Sequence, residues 1–385
     1  MQRYYSFEQG PIRPPSEAKS LLIRATRNCP WNKCAFCHTY RGTKFELRSV
    51  EEIKGDIAQV KDMADSIKDY SWKHGEEGRV SKRIVNLLSD HEEIYNDSFR
   101  SVVSWLYYGG ESVFIQDANS IIMKTDDLAE VLSVIIDKFP SVNRITSYCR
   151  SKTAARKSVE DFKMLKEAGL SRIHIGMESG YDPLLKFMCK GVTAAEHIEG
   201  GRRIREAGIS LCEYVMPGLG GDRWSNEHAE ETAKVINEIN PDFVRLRSLH
   251  VVGETDLFDM VRKGEFKPLG DEEVLKEIKK FLQTLDGIET TLVSDHILNL
   301  LEELNGKLPE DKHMLLRIID NYFSLSDEER LVYRVGRRAG IYGSLSDLFD
   351  ENMYSKVKSM IDQYSVHDQE QLDKDLLKIM NRYIQ

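Results

Sequence analysis

The chain has 385 residues, 41% of them hydrophobic and 30% charged, with no low-complexity tract, which is the composition of a folded globular protein. No apolar run approaches the roughly 20 residues needed to span a bilayer, and Met1-Gln-Arg-Tyr-Tyr-Ser6 lacks the apolar core of a signal peptide, so a cytoplasmic location away from membranes is expected. A net charge of −9 disfavours a nucleic-acid partner, because neutralising phosphates calls for a basic footprint.

Residues 1–19, with Gly10-Pro-Ile-Arg-Pro-Pro15, read as a turn-rich, extended lead-in. Short apolar strands then alternate with longer helical patterns. Strands are expected at Leu21–Ala25, Ser112–Gln116, Arg144–Ser147, Arg172–Met177, Ser210–Met216 and Phe243–Leu249. Between Asp126 and Lys138 the residues Leu128, Val131, Leu132, Ile135 and Ile136 share one helical face. Helices over Ser158–Ala168 and Ala194–Ala207 stop at Gly169 and Gly208, and one over Asn226–Ile239 stops at Asn240-Pro241. Six such alternations predict parallel strands with right-handed crossovers. The fold class is therefore α/β, and six units are too few for an eight-unit barrel, leaving a partial (β/α)6 TIM-like barrel or an open sheet.

Two parts fall outside the repeat. Residues 61–108 read as an insertion of surface helices, able to cover the mouth of a barrel. From about Asp295 the pattern is helical throughout, with Leu298, Leu300, Leu301 and Leu304, then Met314-Leu-Leu316 and Leu376-Leu377. The domains expected are the lead-in 1–19, a core over 20–295 with the 61–108 insertion, and a helical C-terminal appendage over 296–385.

The most informative stretch is Asn28-Cys-Pro-Trp-Asn-Lys-Cys-Ala-Phe-Cys-His38, directly after the first strand. Its Cys-x4-Cys-x2-Cys spacing sets Cys29, Cys34 and Cys37 close together. Three thiolates can hold three irons of a [4Fe–4S] cluster and leave the fourth iron open. With His38 they can also form a closed Cys3His zinc site. Cys149, Cys189 and Cys212 lack paired spacing and read as buried core residues rather than a second cluster or a disulfide framework.

The cysteine segment resembles the cluster loop of the radical S-adenosylmethionine (radical SAM) enzymes, with one residue more than their usual Cys-x3-Cys-x2-Cys. A second likeness lies in Ile175-Gly-Met-Glu-Ser-Gly180, followed by Asp182 through Lys190-Gly191. This run resembles the Gly-x-Glu-Ser-Gly segment of the branch that includes anaerobic coproporphyrinogen oxidases and Elongator-type catalytic subunits. The resemblance covers residues 20–250 and implies a partial barrel of the radical SAM type, a [4Fe–4S] cluster and S-adenosylmethionine (SAM) as cofactors, and reductive cleavage of SAM followed by hydrogen abstraction. It also implies a reducing electron donor such as flavodoxin or ferredoxin.

Barrels of parallel strands place their chemistry at the strands' C-terminal ends. By the resemblance, Cys29, Cys34 and Cys37 ligate the cluster and Phe36 flanks the adenine. Asp117 stands in for the Gly-Gly-Glu motif at the methionine ammonium, although it and Asn119 also read as a turn or cap. Tyr148 or Arg150 reaches the ribose or carboxylate. Glu178 and Lys190 bind the methionine or ribose portion, with Lys190 where the branch carries arginine. Glu213 or Tyr214 offers a ribose contact ahead of the turn Met216-Pro-Gly-Leu-Gly-Gly221. Arg245 and Arg247 share a strand face, as candidates for a substrate carboxylate or phosphate or as structural ion pairs. The expected function is a radical SAM enzyme acting on a small-molecule substrate; the alternative is a zinc-binding Cys3His interaction protein without catalysis.

Overall fold

The structure, a computed structural model, describes residues 6–90 and 96–363. The chain divides into two compact units, one built from residues up to Gly176 together with Glu199–Leu211, the other from Met177–Ile198 and from Cys212 onward.

The strands of the first unit are β1 (Leu21–Arg24), the short antiparallel pair β2 (Thr26–Arg27) and β3 (Glu46–Leu47), then β4 (Ser112–Gln116), β5 (Arg144–Cys149) and β6 (Leu170–Glu178). β1, β4, β5 and β6 lie side by side in that order and run parallel, with Leu22 opposite Phe114, Phe114 opposite Thr146 and Tyr148 opposite His174. Leu21, Leu22, Ile23, Val113, Phe114 and Ile115 are all buried. A parallel strand covered on both faces reads as a continuous apolar run, which is why these strands stand out in the sequence.

The helices here are α1 (Val50–Lys73), α2 (Lys82–Ser89), α3 (Asp97–Tyr107), α4 (Thr125–Lys138), α5 (Ser151–Ala154) and α6 (Val159–Glu167). α1 opens on a capping box, Ser49 with Glu52, and buries Ile53, Ile57, Val60, Ala64 and Ile67 at helical spacing. It runs unbroken to Lys73, so the segment expected to be inserted from residue 61 begins inside this helix. α3 is not a surface helix either, since Phe99, Val102, Val103 and Trp105 are buried. α4 buries Leu128, Val131, Leu132 and Ile135, whereas Ile136 is left half-exposed at the edge of the stripe.

After β6 come α7 (Asp182–Phe187) and α8 (Ala194–Glu206). In the second unit β7 (Ser210–Val215), β8 (Phe243–Leu246) and β9 (Thr290–Val293) are parallel neighbours, and β10 (Gly306–Leu308) runs antiparallel to β9. Its helices are α9 (Gly221–Ile239), α10 (Asp256–Arg262), α11 (Asp271–Thr284), α12 (Lys312–Ser324), α13 (Asp327–Arg338) and α14 (Glu351–Gln363). α9 ends on Asn240 in the left-handed region, at φ +48°, just before Pro241.

The region expected to be helical throughout departs from that pattern in two places. β10 is a strand. Leu298, Leu300, Leu301 and Leu304 are buried from an irregular loop wrapped around Asn299, not from a helix. Asn299 Oδ1 accepts from Ser248 N and Oγ at 3.1 and 2.8 Å, and its Nδ2 donates to Leu246 O and Ser294 Oγ at 2.8 and 2.9 Å. Those four bonds tie the loop to the Leu246–Ser248 segment and to Ser294, using all of the Asn299 amide. Leu376-Leu377 lie outside the described residues. Cys149 and Cys212 are buried as expected, but Cys189 is exposed. Among the described residues no helix is long and apolar enough to cross a membrane.

A buried charge cluster ties the lead-in to the strands of the first unit. Glu17, fully buried, accepts from Ser20 Oγ at 2.7 Å, from Arg144 Nη1 at 3.0 Å and from His174 Nε2 at 3.3 Å. Desolvation alone would raise its pKa, but the bonds from His174 and Ser20 and the Arg144 charge outweigh it and bring the pKa down to about 2. A depressed carboxyl pKa means stability that is present above the unfolded value near 4.5 and lost as pH falls toward 2. Glu17→Gln is expected to lower unfolding free energy at neutral pH by about 3 kcal/mol, the scale of breaking a buried ion pair. Urea unfolding from pH 7 downward should show the gap to wild type closing below about pH 4.5; a gap that persists to the acid limit would remove the charge as its source.

Candidate cofactor site

The cysteine loop leaves β1 and β2 and is shaped by two left-handed asparagines, Asn28 at φ +68° and Asn32 at φ +46°. Asparagine tolerates this region because its short amide can bond locally. Asn28 Nδ2 donates to Lys44 O at 2.6 Å, and Asn32 Nδ2 donates to Tyr40 O and, at 3.2 Å, to Thr43 O. Asn32 lies within the four-residue gap, so the extra residue is absorbed in a turn whose amide laces the far side of the loop. Cys37 N closes a turn onto Cys34 O at 3.1 Å, with Phe36 half-buried inside it. Cys29, Cys34 and Cys37 are all of intermediate exposure.

Asp117 sits at the C-terminal end of β4, fully buried, and both carboxylate oxygens are engaged by the protein itself. Oδ2 accepts from Arg24 Nη2 at 2.7 Å and Nε at 3.1 Å, and from the Asn28 backbone N–H at 3.2 Å. Oδ1 accepts from the Tyr40 hydroxyl. Burial and the neighbouring Asp117 charge both push the Tyr40 phenol well above its usual range, so it stays a donor. Asn28 precedes the first cysteine and Tyr40 follows the last. Asp117, expected at the methionine ammonium, is therefore committed to pinning the two ends of the cysteine loop.

Tyr148 packs edge-on against Phe114 at 5.2 Å and near His174 at 6.0 Å. Arg150, its alternative, lays its guanidinium over the Trp31 ring of the cysteine loop at 5.1 Å, with the Lys33 ammonium 5.3 Å from the same ring. Asn119 Oδ1 accepts from Arg150 N at 2.9 Å and its Nδ2 donates to Thr153 Oγ1 at 2.8 Å, a turn-stabilising role.

In the second unit Glu178, Lys190 and Glu213 form one electrostatic group. Glu178 holds a left-handed backbone at φ +67°, an uncommon conformation for a residue with a side chain. Lys190 Nζ donates to Glu178 Oε1 at 3.1 Å, and both side chains are largely buried. Glu213 is fully buried and neither of its oxygens has a hydrogen-bond partner among the described residues. Burial first, then the like charge of Glu178, hold its carboxyl well above the usual range, with Lys190 opposing. A neutral buried carboxyl with nothing to bond is rare, because such groups are normally satisfied. Arg245 is paired with Asp295 at 2.6 Å, as the structural reading has it, while Arg247 is exposed.

Among the described residues no three His, Cys, Asp or Glu side chains converge to hold a single metal ion. Cluster thiolates each bind a different iron, and Cys29, Cys34 and Cys37 lie on one braced segment. Sequence reasoning missed Tyr40, Arg24, Asn28 and Asn32; only the Asn identities, as turn formers, carried a signal. Asp117→Ala is expected to cut iron and sulfide content after anaerobic reconstitution about tenfold, the scale of losing a residue that supports metal ligands, and Tyr40→Phe by less. Full cluster content in Asp117→Ala would show that the loop holds its path without this tie.

Residues 102–236 match the family described as the Radical SAM superfamily. The chain is 27% identical over 142 residues to a tRNA uridine(34) acetyltransferase of Methanocaldococcus infernus, covering 35% of this chain and 26% of that protein. It is 24% identical to the tRNA-2-methylthio-N(6)-dimethylallyladenosine synthase of Hahella chejuensis, covering 61% and 44%, and 27% identical to a biotin synthase of a Hydrogenobaculum species, covering 45% and 51%. Among solved structures, coproporphyrinogen III oxidase of Escherichia coli aligns over 69% of this chain and 52% of its own, at 12% identity and a TM-score of 0.42. The chain spans about a quarter of the length of the first relatives it matches. The matched segment holds β4 to β7, part of the parallel α/β core, and over these residues the chain is similar to the radical SAM superfamily.

Proposed function

We propose that this chain is a radical SAM enzyme that cleaves SAM reductively and removes hydrogen from a small-molecule substrate. The observation that carries the reading is the group Glu178, Lys190 and Glu213: an ion pair beside a buried carboxyl without a hydrogen-bond partner among the described residues. The zwitterionic methionine end and the ribose hydroxyls of SAM are complementary to such a set. Glu178 accepts from the ammonium or ribose, Lys190 meets the carboxylate as a point charge, and the Glu213 carboxyl takes a ribose hydroxyl. Cys29, Cys34 and Cys37 hold three irons, and Phe36 lies against the adenine, with Tyr148 offering a further contact. When bound, the cluster supplies the electron for cleavage, drawn from a donor of the flavodoxin or ferredoxin class. The protein's own work is to orient the cofactor and exclude water.

The net charge of −9 favours a small molecule, in a cytoplasmic setting where thiols stay reduced. Two of the relatives are named for tRNA chemistry, which makes tRNA the rival substrate class. In anaerobically reconstituted protein, dithionite and SAM should yield 5′-deoxyadenosine by chromatography, and Cys34→Ala should yield none. A colourless, zinc-loaded protein with no cleavage would replace this reading by a metal-binding module. Glu178→Gln and Glu213→Gln should weaken SAM binding by roughly 10- to 100-fold, the scale of losing a hydrogen bond to a charged group. Tight, salt-dependent retention of tRNA would move the substrate from small molecule to nucleic acid.

A further inference from the structure

Two backbone segments of the second unit, Glu178–Gly180 and Met216–Gly218, meet where the Met216 N–H donates to Glu178 O at 3.0 Å. Both are also held by one histidine on α9. His228 is almost fully buried, with Nδ1 2.9 Å from Ser179 Oγ and Nε2 3.0 Å from Met216 O. A carbonyl only accepts, so Nε2 carries a proton and donates it to Met216. In the neutral ring Nδ1 then accepts from the Ser179 hydroxyl. One turn along α9, Thr232 Oγ1 lies 3.2 Å from Nδ1 and accepts the Gly180 N–H at 2.8 Å. The segment is pressed onto the helix so closely that a Cβ at Gly180 would lie 2.7 Å from Glu231 O. From α11, Glu277 adds the second anchor: Oε1 accepts from Gly218 N and Oε2 from Ser225 Oγ, each at 2.6 Å.

Ser179, His228 and Glu277 have the composition of a hydrolytic triad but not its arrangement. Ser179 is fully buried, and the ring Nε2–H is bonded to a carbonyl, with the Glu277 carboxylate 3.6 Å away. The network instead acts on backbone. A non-glycine residue at φ +67° persists only where its surroundings over-determine it, and Glu178 is flanked by these bonds on its carbonyl and on the next two residues.

We propose that His228 is a positioning residue for SAM: by joining Ser179 to Met216 it fixes the backbone of Glu178 and the turn beside it. The proposal rests on the reading that Glu178 takes the cofactor. The test is SAM affinity of the reconstituted holoenzyme, with iron content and thermal unfolding measured on the same samples. Ser179→Ala and His228→Leu are each expected to weaken SAM binding about tenfold at unchanged iron content, with His228→Gln recovering most of the loss. The double variant should bind no worse than His228→Leu alone, because both remove one link. Variants that fold and bind SAM within about twofold of wild type would overturn the positioning role, as would weakened binding that only tracks lost iron. If His228→Leu does not fold, Ser179→Ala and His228→Gln decide by the same criteria. A wild-type holoenzyme that fails to bind SAM sinks the Glu178 reading and this proposal together; normal wild-type binding with unaffected variants sinks this one alone.

Discussion

One buried carboxylate governs the cysteine loop. Asp117 is fully removed from water, and an uncompensated charge there would be strongly unfavourable. Arg24 meets it through two nitrogens, and the remaining lone pairs are met by Asn28 and Tyr40. The compensation that makes the buried charge tolerable is thus the same set of bonds that fixes where the loop starts and stops. Bonds to a charged acceptor are stronger and more directional than neutral ones, so the excursion between Asn28 and Tyr40, with little core of its own, acquires a defined path.

Glu213 shows the opposite use of a buried acid. Among the described residues its oxygens meet no donor, its carboxyl is driven toward the neutral form, and Glu178 and Lys190 are the charges that act on it. Asp117 is spent on the protein; Glu213 is held in reserve. The contrast is between a carboxylate whose lone pairs the protein fills and one whose lone pairs it leaves open, and it comes from donors supplied by other segments rather than from residue type.

Much of the fold was legible because its parallel strands are continuous apolar runs between helices with clear stop signals. All six expected strands exist, with ends shifted by a few residues. β9 and β10 were missed: Thr290-Thr-Leu-Val293 is short and only half apolar, and Gly306-Lys-Leu308 carries almost no pattern. The Leu298–Leu304 spacing imitates a helix, yet Asn299 bonds to Leu246 and Ser248, and periodicity alone does not register a side chain that ties a loop to a segment some fifty residues away. Of the site, the convergence of Glu178, Lys190 and Glu213 follows from strand ends in parallel order. The commitment of Asp117 was not legible, since its partners Arg24 and Tyr40 lie 93 and 77 residues away in sequence. The role of His228 was hidden for the same reason.

The two left-handed asparagines have a further consequence for how such a chain matures. The bonds that shape the cysteine loop run from Asn28 to Lys44, from Asn32 to Tyr40 and Thr43, and from both ends of the loop to Asp117. Small metal domains fold onto their ion, so that binding and folding are one free energy. In this loop the side chains of Asn28, Asn32 and Asp117 carry part of the ordering, so replacing any of them leaves more of it to be supplied by whatever the cysteines bind.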